Sequence, residues 1–281
     1  MPNTKPFAYF GTPYVGRDTL AYLFEQGFVP SVVITSPPAL RGRGLVLTPS
    51  ETDVWAREHG IPVLTPEKLA EAAIEEIRAY GCAYGIVVAY GKILPTALIE
   101  SFPLGVLNIH YSLLPKYRGA SPVETALRNG ETVTGVSIQK MVRELDAGDV
   151  VVAKEVAIEP TETVRELRPR LVTVGAELLV SVLPEFERGA VVPTPQDHAA
   201  ATFAKKISKE EGELQIPGSD ADNWRAYRAY AEGPGTYFYM ERAGQRIRVK
   251  IVSAVYENDR FVIKRVIPEG KKEMAFEDLA R

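Results

Sequence analysis

Residues 101–150 read SFPLGVLNIHYSLLPKYRGASPVETALRNGETVTGVSIQKMVRELDAGDV. Val106, Leu107 and Ile109 supply the bulk of a β-strand, and Pro115, after Ser112-Leu113-Leu114, forbids further ladder pairing. Asn108 and His110 therefore lie at a strand end. Side chains alternate across a strand, so residues two apart point to one face, and the amide and the imidazole look into the same space. Asp146 sits in Leu145-Asp146-Ala147-Gly148-Asp149, a turn-like loop between two strand-like runs that can carry a carboxylate to the imidazole. Singly, each of these residues is an ordinary polar side chain. Their spacing is what points to chemistry.

Upstream, strands and helices alternate. The apolar run Phe7 to Phe10 ends at Gly11-Thr12-Pro13 and is followed by an amphipathic stretch from Arg17 to Glu25. A strand from Ser31 to Thr35 leads into the loop Ser36 to Gly44, and a helix starts near Ser50. A helix from Glu67 to Tyr80 and a strand from Gly85 to Ala89 continue the order. This alternation implies an α/β fold with a mostly parallel, Rossmann-like sheet wrapped by helices. Ligands bind such sheets beyond the carboxyl ends of the strands, where Gly11, Tyr90 and His110 fall. Neither glycine turn reads as a nucleotide site. Gly11 to Gly16 has the P-loop spacing but is followed by Arg17-Asp18 instead of Lys-Ser/Thr, and Gly42-Arg43-Gly44 lacks a third glycine and follows the second strand.

After Asp149 a strand to Ile158 precedes Thr161 as a helix cap and an apolar-periodic helix from about Val164 to Phe186, with Pro169 kinking it or belonging to its start. Residues 1–189 are expected to form a first domain. Residues 190–204 have the proline, alanine and polar composition of a linker, in which His198 reads as structural. Residues 205–281 read as a small β-rich domain. It has a short helix over Asn223 to Tyr230 and strands over Gly235 to Glu241, Arg246 to Tyr256 and Phe261 to Val266, the pattern of a small antiparallel barrel.

The run Asn108-Ile109-His110-Tyr111-Ser112-Leu113-Leu114-Pro115, with Arg118-Gly119-Ala120-Ser121-Pro122, Gly135-Val136 and Leu145-Asp146-Ala147-Gly148-Asp149 downstream, resembles the methionyl-tRNA formyltransferase family. The resemblance implies a formyltransferase domain with an OB-like β-barrel behind it. It implies catalysis by Asn108, His110 and Asp146, a trio shared with glycinamide ribonucleotide and sugar N-formyltransferases. 10-Formyltetrahydrofolate is the implied formyl donor, held by Ser112, Leu113, Leu114 and Pro115 and by Tyr90, Gly91, Lys92, Ile93 and Leu94. Initiator methionyl-tRNA is the implied acceptor, touched by the flexible loop Arg41, Gly42, Arg43 and Gly44. Lys205 to Gly212 resembles the opening of the family's second domain, while the β-region between Tyr256 and Val266 is shorter than usual for it. A sugar N-formyltransferase acting on a nucleotide-linked amino sugar and a non-catalytic RNA-binding relative are the competing readings.

Formyl transfer to an amine passes through a tetrahedral carbon bearing an oxyanion, which needs hydrogen-bond donors aimed at the developing charge. The Asn108 amide and a protonated His110 are such donors, and a carboxylate beside the imidazole orients it and relays protons. No covalent enzyme intermediate, and so no enzyme nucleophile, is required. The single cysteine, Cys82, lies in an apolar helix-to-strand passage and reads as structural.

Composition sets wider bounds. Of 281 residues, 46% are hydrophobic and 25% charged, as in soluble globular proteins, and the formal net charge is −3. One cysteine excludes an internal disulfide framework and suits a reducing, cytoplasmic setting. No leader or membrane-spanning run is read, no motif calls for a metal, and a monomer is expected. From Lys205 onward 15 basic residues face 13 acidic ones, against 18 and 23 in the remainder, so the tail is the more basic part.

Overall fold

In chain order the first elements are β1 (Phe7–Gly11), α1 (Tyr14–Glu25), β2 (Val32–Ile34), β3 (Ala39–Arg41), β4 (Val46–Thr48), α2 (Glu51–Glu58), β5 (Val63–Leu64) and α3 (Glu71–Arg78). There follow β6 (Tyr84–Val88), α4 (Thr96–Ile99), β7 (Val106–His110), β8 (Arg118–Gly119), α5 (Pro122–Arg128), β9 (Val133–Lys140), β10 (Val150–Ala157) and α6 (Val164–Glu187). The chain closes with β11 (Phe203–Ala204), α7 (Asp220–Tyr230), β12 (Tyr237–Arg242), β13 (Gln245–Glu257), β14 (Arg260–Pro268) and β15 (Met274–Ala275). This computed structural model describes residues 5–42, 44–242 and 244–279. By compactness the chain divides into one unit of residues up to Arg118, Gly135–Val156 and Pro169–Thr202, and a second of Gly119–Thr134, Ala157–Arg168 and the residues from Phe203 onward.

The first unit holds a seven-stranded sheet in the order β10-β9-β7-β6-β1-β2-β5. β5, β2, β1, β6 and β7 run parallel, and β9 is antiparallel to β7. β1 and β6 are buried at every position, as central strands covered on both faces must be. On one face Ala8, Phe10, Val32, Ile34, Val87 and Val106 pack with Ile74 and Ile77 of α3, Leu98 of α4, Tyr90 and Phe102. Alternation sends Phe7 and Tyr9 the other way. Phe7 stacks on Tyr84 at 5.1 Å, and the Tyr84 hydroxyl donates to Glu187 Oε1 at 2.8 Å.

The glycines of the first turn serve packing. A Cβ at Gly11 would stand 2.8 Å from the Tyr9 ring, and one at Gly16 would stand 3.1 Å from the Gly11 Cα and from the Val88 carbonyl. The Tyr9 hydroxyl donates to the Gly16 carbonyl at 2.6 Å. Thus α1 lies against β1 and β6 at a distance only hydrogen permits.

Several elements differ from the sequence expectation. α1 starts at Tyr14, because the Pro13 carbonyl already accepts from Gly16 and Arg17. α3 starts at Glu71 instead of Glu67, since the Pro66 and Glu67 carbonyls are taken by Lys92 Nζ at 2.7 and 3.0 Å. The expected loop after β2 contains the hairpin β3–β4, and the edge strand β5 is too short for its periodicity to register. Pro169 lies inside α6, as does Pro184.

In the second unit β12, β13, β14 and β15 form an antiparallel four-stranded sheet, as expected of a small barrel-like domain. Register shifts between Ile251 and Ala254 bend its long strand. Trp224 of α7 stacks on Tyr256 and Tyr227 beside Phe261. Arg228, buried, donates to the Glu162 and Glu159 carbonyls at 2.7 and 2.9 Å. Among the described residues no helix is long and apolar enough to cross a membrane.

Gly16→Val is expected to destabilise the protein by about 1–3 kcal/mol through overpacking of α1 on β1 and β6. Urea denaturation monitored by circular dichroism measures it, and an unchanged midpoint would mean that α1 shifts at no cost.

Candidate active site

The antiparallel register of β7 and β9 builds the site. Asn108 pairs with Gln139 and His110 with Ser137, while Leu107 pairs with Lys140 and Ile109 with Ile138. Directly opposed residues share a face, so Asn108, His110, Ser137 and Gln139 form one polar patch. The other face is apolar. There a Cβ on Gly175 of α6 would meet Ile109 Cγ2 at 3.0 Å and Val136 Cγ1 at 3.3 Å.

His110 is 5% exposed, and its ring is held by a hydrogen bond at one nitrogen. Its Nε2 lies 2.9 Å from the Tyr117 carbonyl. A carbonyl only accepts, so Nε2 carries a proton, and Nδ1 is the ring position left for chemistry. Nδ1 faces Asp146 Oδ2 at 3.6 Å, longer than a direct hydrogen bond. The other carboxylate oxygen, Oδ1, accepts from Gln139 Nε2 at 2.8 Å. Gln139 is 1% exposed, and its Oε1 has no hydrogen-bond partner among the described residues. A buried acceptor left open beside an amide, an imidazole and a carboxylate is a place for a ligand's donor.

The loop after β7 is tied down locally. Ser137 Oγ donates to the Ser112 carbonyl at 2.8 Å and accepts from the Leu114 amide at 3.1 Å. The Ser112 hydroxyl is turned to the Lys116 carbonyl at 2.5 Å, and Leu113, Leu114 and Pro115 are half-buried. Gly135 lets this loop close, since a Cβ there would stand 2.4 Å from Leu113 Cδ2.

The segment after β6 divides by role. Tyr90 turns inward, with its ring edge-on to Phe10 and its carbonyl accepting from Thr12 Oγ1 at 2.9 Å. Burial pushes its phenol up to about 12. Leu94 is core, but Ile93 is 84% exposed, so the two apolar residues do not share one structural role. The peptide groups of Gly91, Lys92 and Ile93 make no hydrogen bond to described residues, and Gly91 has φ +81°. In the β3–β4 hairpin the backbone of Arg41 lies in β3 and Gly42 and Gly44 are exposed, whereas Arg43 lies outside the described residues.

The structure thus brings Asn108, His110 and Asp146 together. Gln139, Ser137 and the Tyr117 carbonyl also belong to the group and were not found from sequence. Ser137 and Gln139 had a signal, alternating with Val136 and Ile138 in a strand-like run. The Tyr117 carbonyl had none, being backbone. Cys82 is buried and its thiol is pushed up to about 11 by burial, as suits a structural residue. Among the described residues no His, Cys, Asp and Glu cluster could hold a metal.

The description of the formyl transferase family matches residues 10–183. A methionyl-tRNA formyltransferase of Phenylobacterium zucineum is 39% identical over 254 residues, which cover 89% of this chain and 82% of that protein. HypX from Aquifex aeolicus, solved in complex with tetrahydrofolic acid, superposes with a TM-score of 0.66 at 15% identity, over 99% of this chain and 47% of that one. An N-formyltransferase from Helicobacter canadensis, solved in complex with folinic acid and dTDP-3-aminofucose, gives 0.64 at 19% identity, over 90% of this chain and 89% of that one. At these identities the two solved structures speak to fold alone.

The Tyr90 hydroxyl is buried with no hydrogen-bond partner among the described residues. Tyr90→Phe is therefore expected to leave stability unchanged or raise it by about 1–3 kcal/mol, the desolvation cost of an unmatched hydroxyl. A lowered melting temperature would show that the hydroxyl has a partner.

Proposed function

The chain belongs to the formyl transferase family, and from that we propose that it is a methionyl-tRNA formyltransferase acting in translation initiation. The formyl donor is a folate, in this reading 10-formyltetrahydrofolate, and the acceptor is the free amino group of methionyl-initiator-tRNA. The identity to methionyl-tRNA formyltransferases over most of both chains supports this acceptor over an amino sugar. The observation that carries the chemistry is the orientation of His110, with Nε2 committed to Tyr117 and Nδ1 turned toward Asp146.

We assign three roles. The amine attacks the formyl carbon, a carbon–nitrogen bond forms, and negative charge collects on the formyl oxygen. The Asn108 amide and a protonated His110 Nδ1 donate to that oxygen. Asp146, 3.6 Å away, takes the proton the attacking ammonium releases and returns one, through water, to the folate nitrogen as its bond to carbon breaks. No covalent enzyme intermediate is needed. Gly91 to Ile93, with open peptide groups after β6, fit the hydrogen-bonding edge of a pterin, and Ser112 to Pro115 fit its flank.

For tRNA we assign the loop Arg41 to Gly44 and the sheet of residues 205–281. On that sheet the Arg248 guanidinium lies 3.7 Å over the Tyr237 ring and Arg246 lies 4.0 Å over Tyr239. A groove of about 450 Å³ beside them is lined by Arg248, Lys250 and Lys271. Flat cations on aromatic rings suit phosphates and unstacked bases.

Incubation with 10-formyltetrahydrofolate and charged initiator tRNA is expected to yield formyl-methionyl-tRNA. Transfer to a nucleotide-linked amino sugar alone, or binding without transfer, would overturn the reading. His110→Ala should cost about 10²–10³ in kcat, the usual worth of an oxyanion donor. Arg248→Ala should raise KM for the tRNA several-fold and leave KM for the folate unchanged, and equal changes in both would remove the small domain's sheet from tRNA binding.

A further inference from the structure

The stretch Gln196–Thr202 has the composition of a linker and contains no residue of the proposed chemistry. It nevertheless touches the supports of both His110 and Asp146. Gln196 is 7% exposed and uses its whole amide. Nε2 donates to the Asp146 carbonyl at 2.9 Å and to the Gly148 carbonyl at 2.6 Å. Oε1 accepts from Arg118 Nε at 3.1 Å and Nη2 at 2.7 Å, and the same Nη2 lies 3.2 Å from His198 Nδ1. Six residues on, Thr202 Oγ1 accepts from the Tyr117 amide at 2.8 Å, and the Thr202 carbonyl accepts from the Arg118 amide at 2.8 Å. Tyr117 is the residue whose carbonyl holds His110.

Backbone strain gives these contacts a purpose. Asp146 has φ +50° and Tyr117 has φ +58°, a region that residues with a Cβ rarely adopt and that persists only where surroundings impose it. One strained residue carries the carboxylate and the other carries the carbonyl that sets the imidazole. Both are gripped from the same short segment, Gln196 on the first and Thr202 on the second.

We propose that Gln196 and Thr202 are positioning residues that hold Asp146 and His110 at their working separation, a function resting on the formyl-transfer reading above. Neither side chain touches the reacting atoms. Their loss should therefore lower turnover while leaving substrate binding in place, because a misplacement of about 1 Å at the chemistry can cost about 10²-fold.

Two substitutions isolate the geometry. Gln196→Glu keeps the volume and the acceptor for Arg118 but cannot donate to the two carbonyls. Thr202→Val keeps the shape but cannot accept from the Tyr117 amide, whereas Thr202→Ser can. We expect kcat for formyl transfer to fall about 10- to 100-fold in Gln196→Glu and Thr202→Val, with both KM values within about twofold and near wild-type turnover in Thr202→Ser. Wild-type kcat in folded Gln196→Glu and Thr202→Val, or equal losses in Thr202→Val and Thr202→Ser, would overturn the proposal. Should Gln196→Glu fail to fold, the Thr202 pair decides. Ring-nitrogen NMR of His110 separates this inference from the function it rests on. If the wild type transfers no formyl group, the functional reading fails, and unchanged His110 resonances in Thr202→Val would sink the positioning role independently.

Discussion

The antiparallel pairing of β9 against β7 is the constraint from which the site follows. It sets Ser137 opposite His110 and Gln139 opposite Asn108, so two strands far apart in sequence contribute to one polar face. A slip of one residue would send Ser137 and Gln139 to the apolar side and Ile138 into the site. The slip is blocked from behind. Gly175 of α6 approaches Ile109 and Val136 so closely that even a methyl group would stand 3.0 Å from the first. Packing on the far face thus holds the register on which the near face depends.

Much of the first unit was legible because its signals are local. Apolar runs ended by Gly11-Thr12-Pro13 and by Pro115 mark β1 and β7, and period-two alternation puts Asn108 and His110 on one side before any partner strand is known. The bounds of α3 were not legible, since its start is decided by an ammonium from Lys92 that occupies two carbonyls more than twenty residues upstream. The hairpin β3–β4 was hidden for a different reason. Its outward Leu40, Val46 and Leu47 are exposed, so no amphipathic pattern marks it within a proline- and glycine-rich stretch.

Of the candidate site, Asn108, His110 and Asp146 were read from sequence, Ser137 and Gln139 were missed although their alternation in β9 gave a signal, and the contacts made through the backbone gave none. Tyr117 contributes a carbonyl, and Gln196 acts on the carbonyls of Asp146 and Gly148, contacts that leave no composition or spacing signature. Glycines carry the only trace. A Cβ on Gly148 would stand 1.7 Å from the Lys140 carbonyl, so the loop bearing Asp146 can lie against β9 only with glycine there.

The hydrogen bonds around Asp146 bear on the relay we propose for it. A guanidinium beside the carboxylate would engage both oxygens through its fork and lock the group into a structural ion pair. The buried guanidinium nearest in the network, Arg118, instead spends two donors on Gln196 Oε1, and Gln196 passes the contact on to backbone carbonyls. The carboxylate meets a neutral amide from Gln139 at Oδ1, and Oδ2 stays turned toward the imidazole. Interposing glutamine between Arg118 and the Asp146 loop ties that loop into a charged network through its backbone carbonyls, so that Arg118 grips the loop without spending these donors on the carboxylate to which we assign the proton relay.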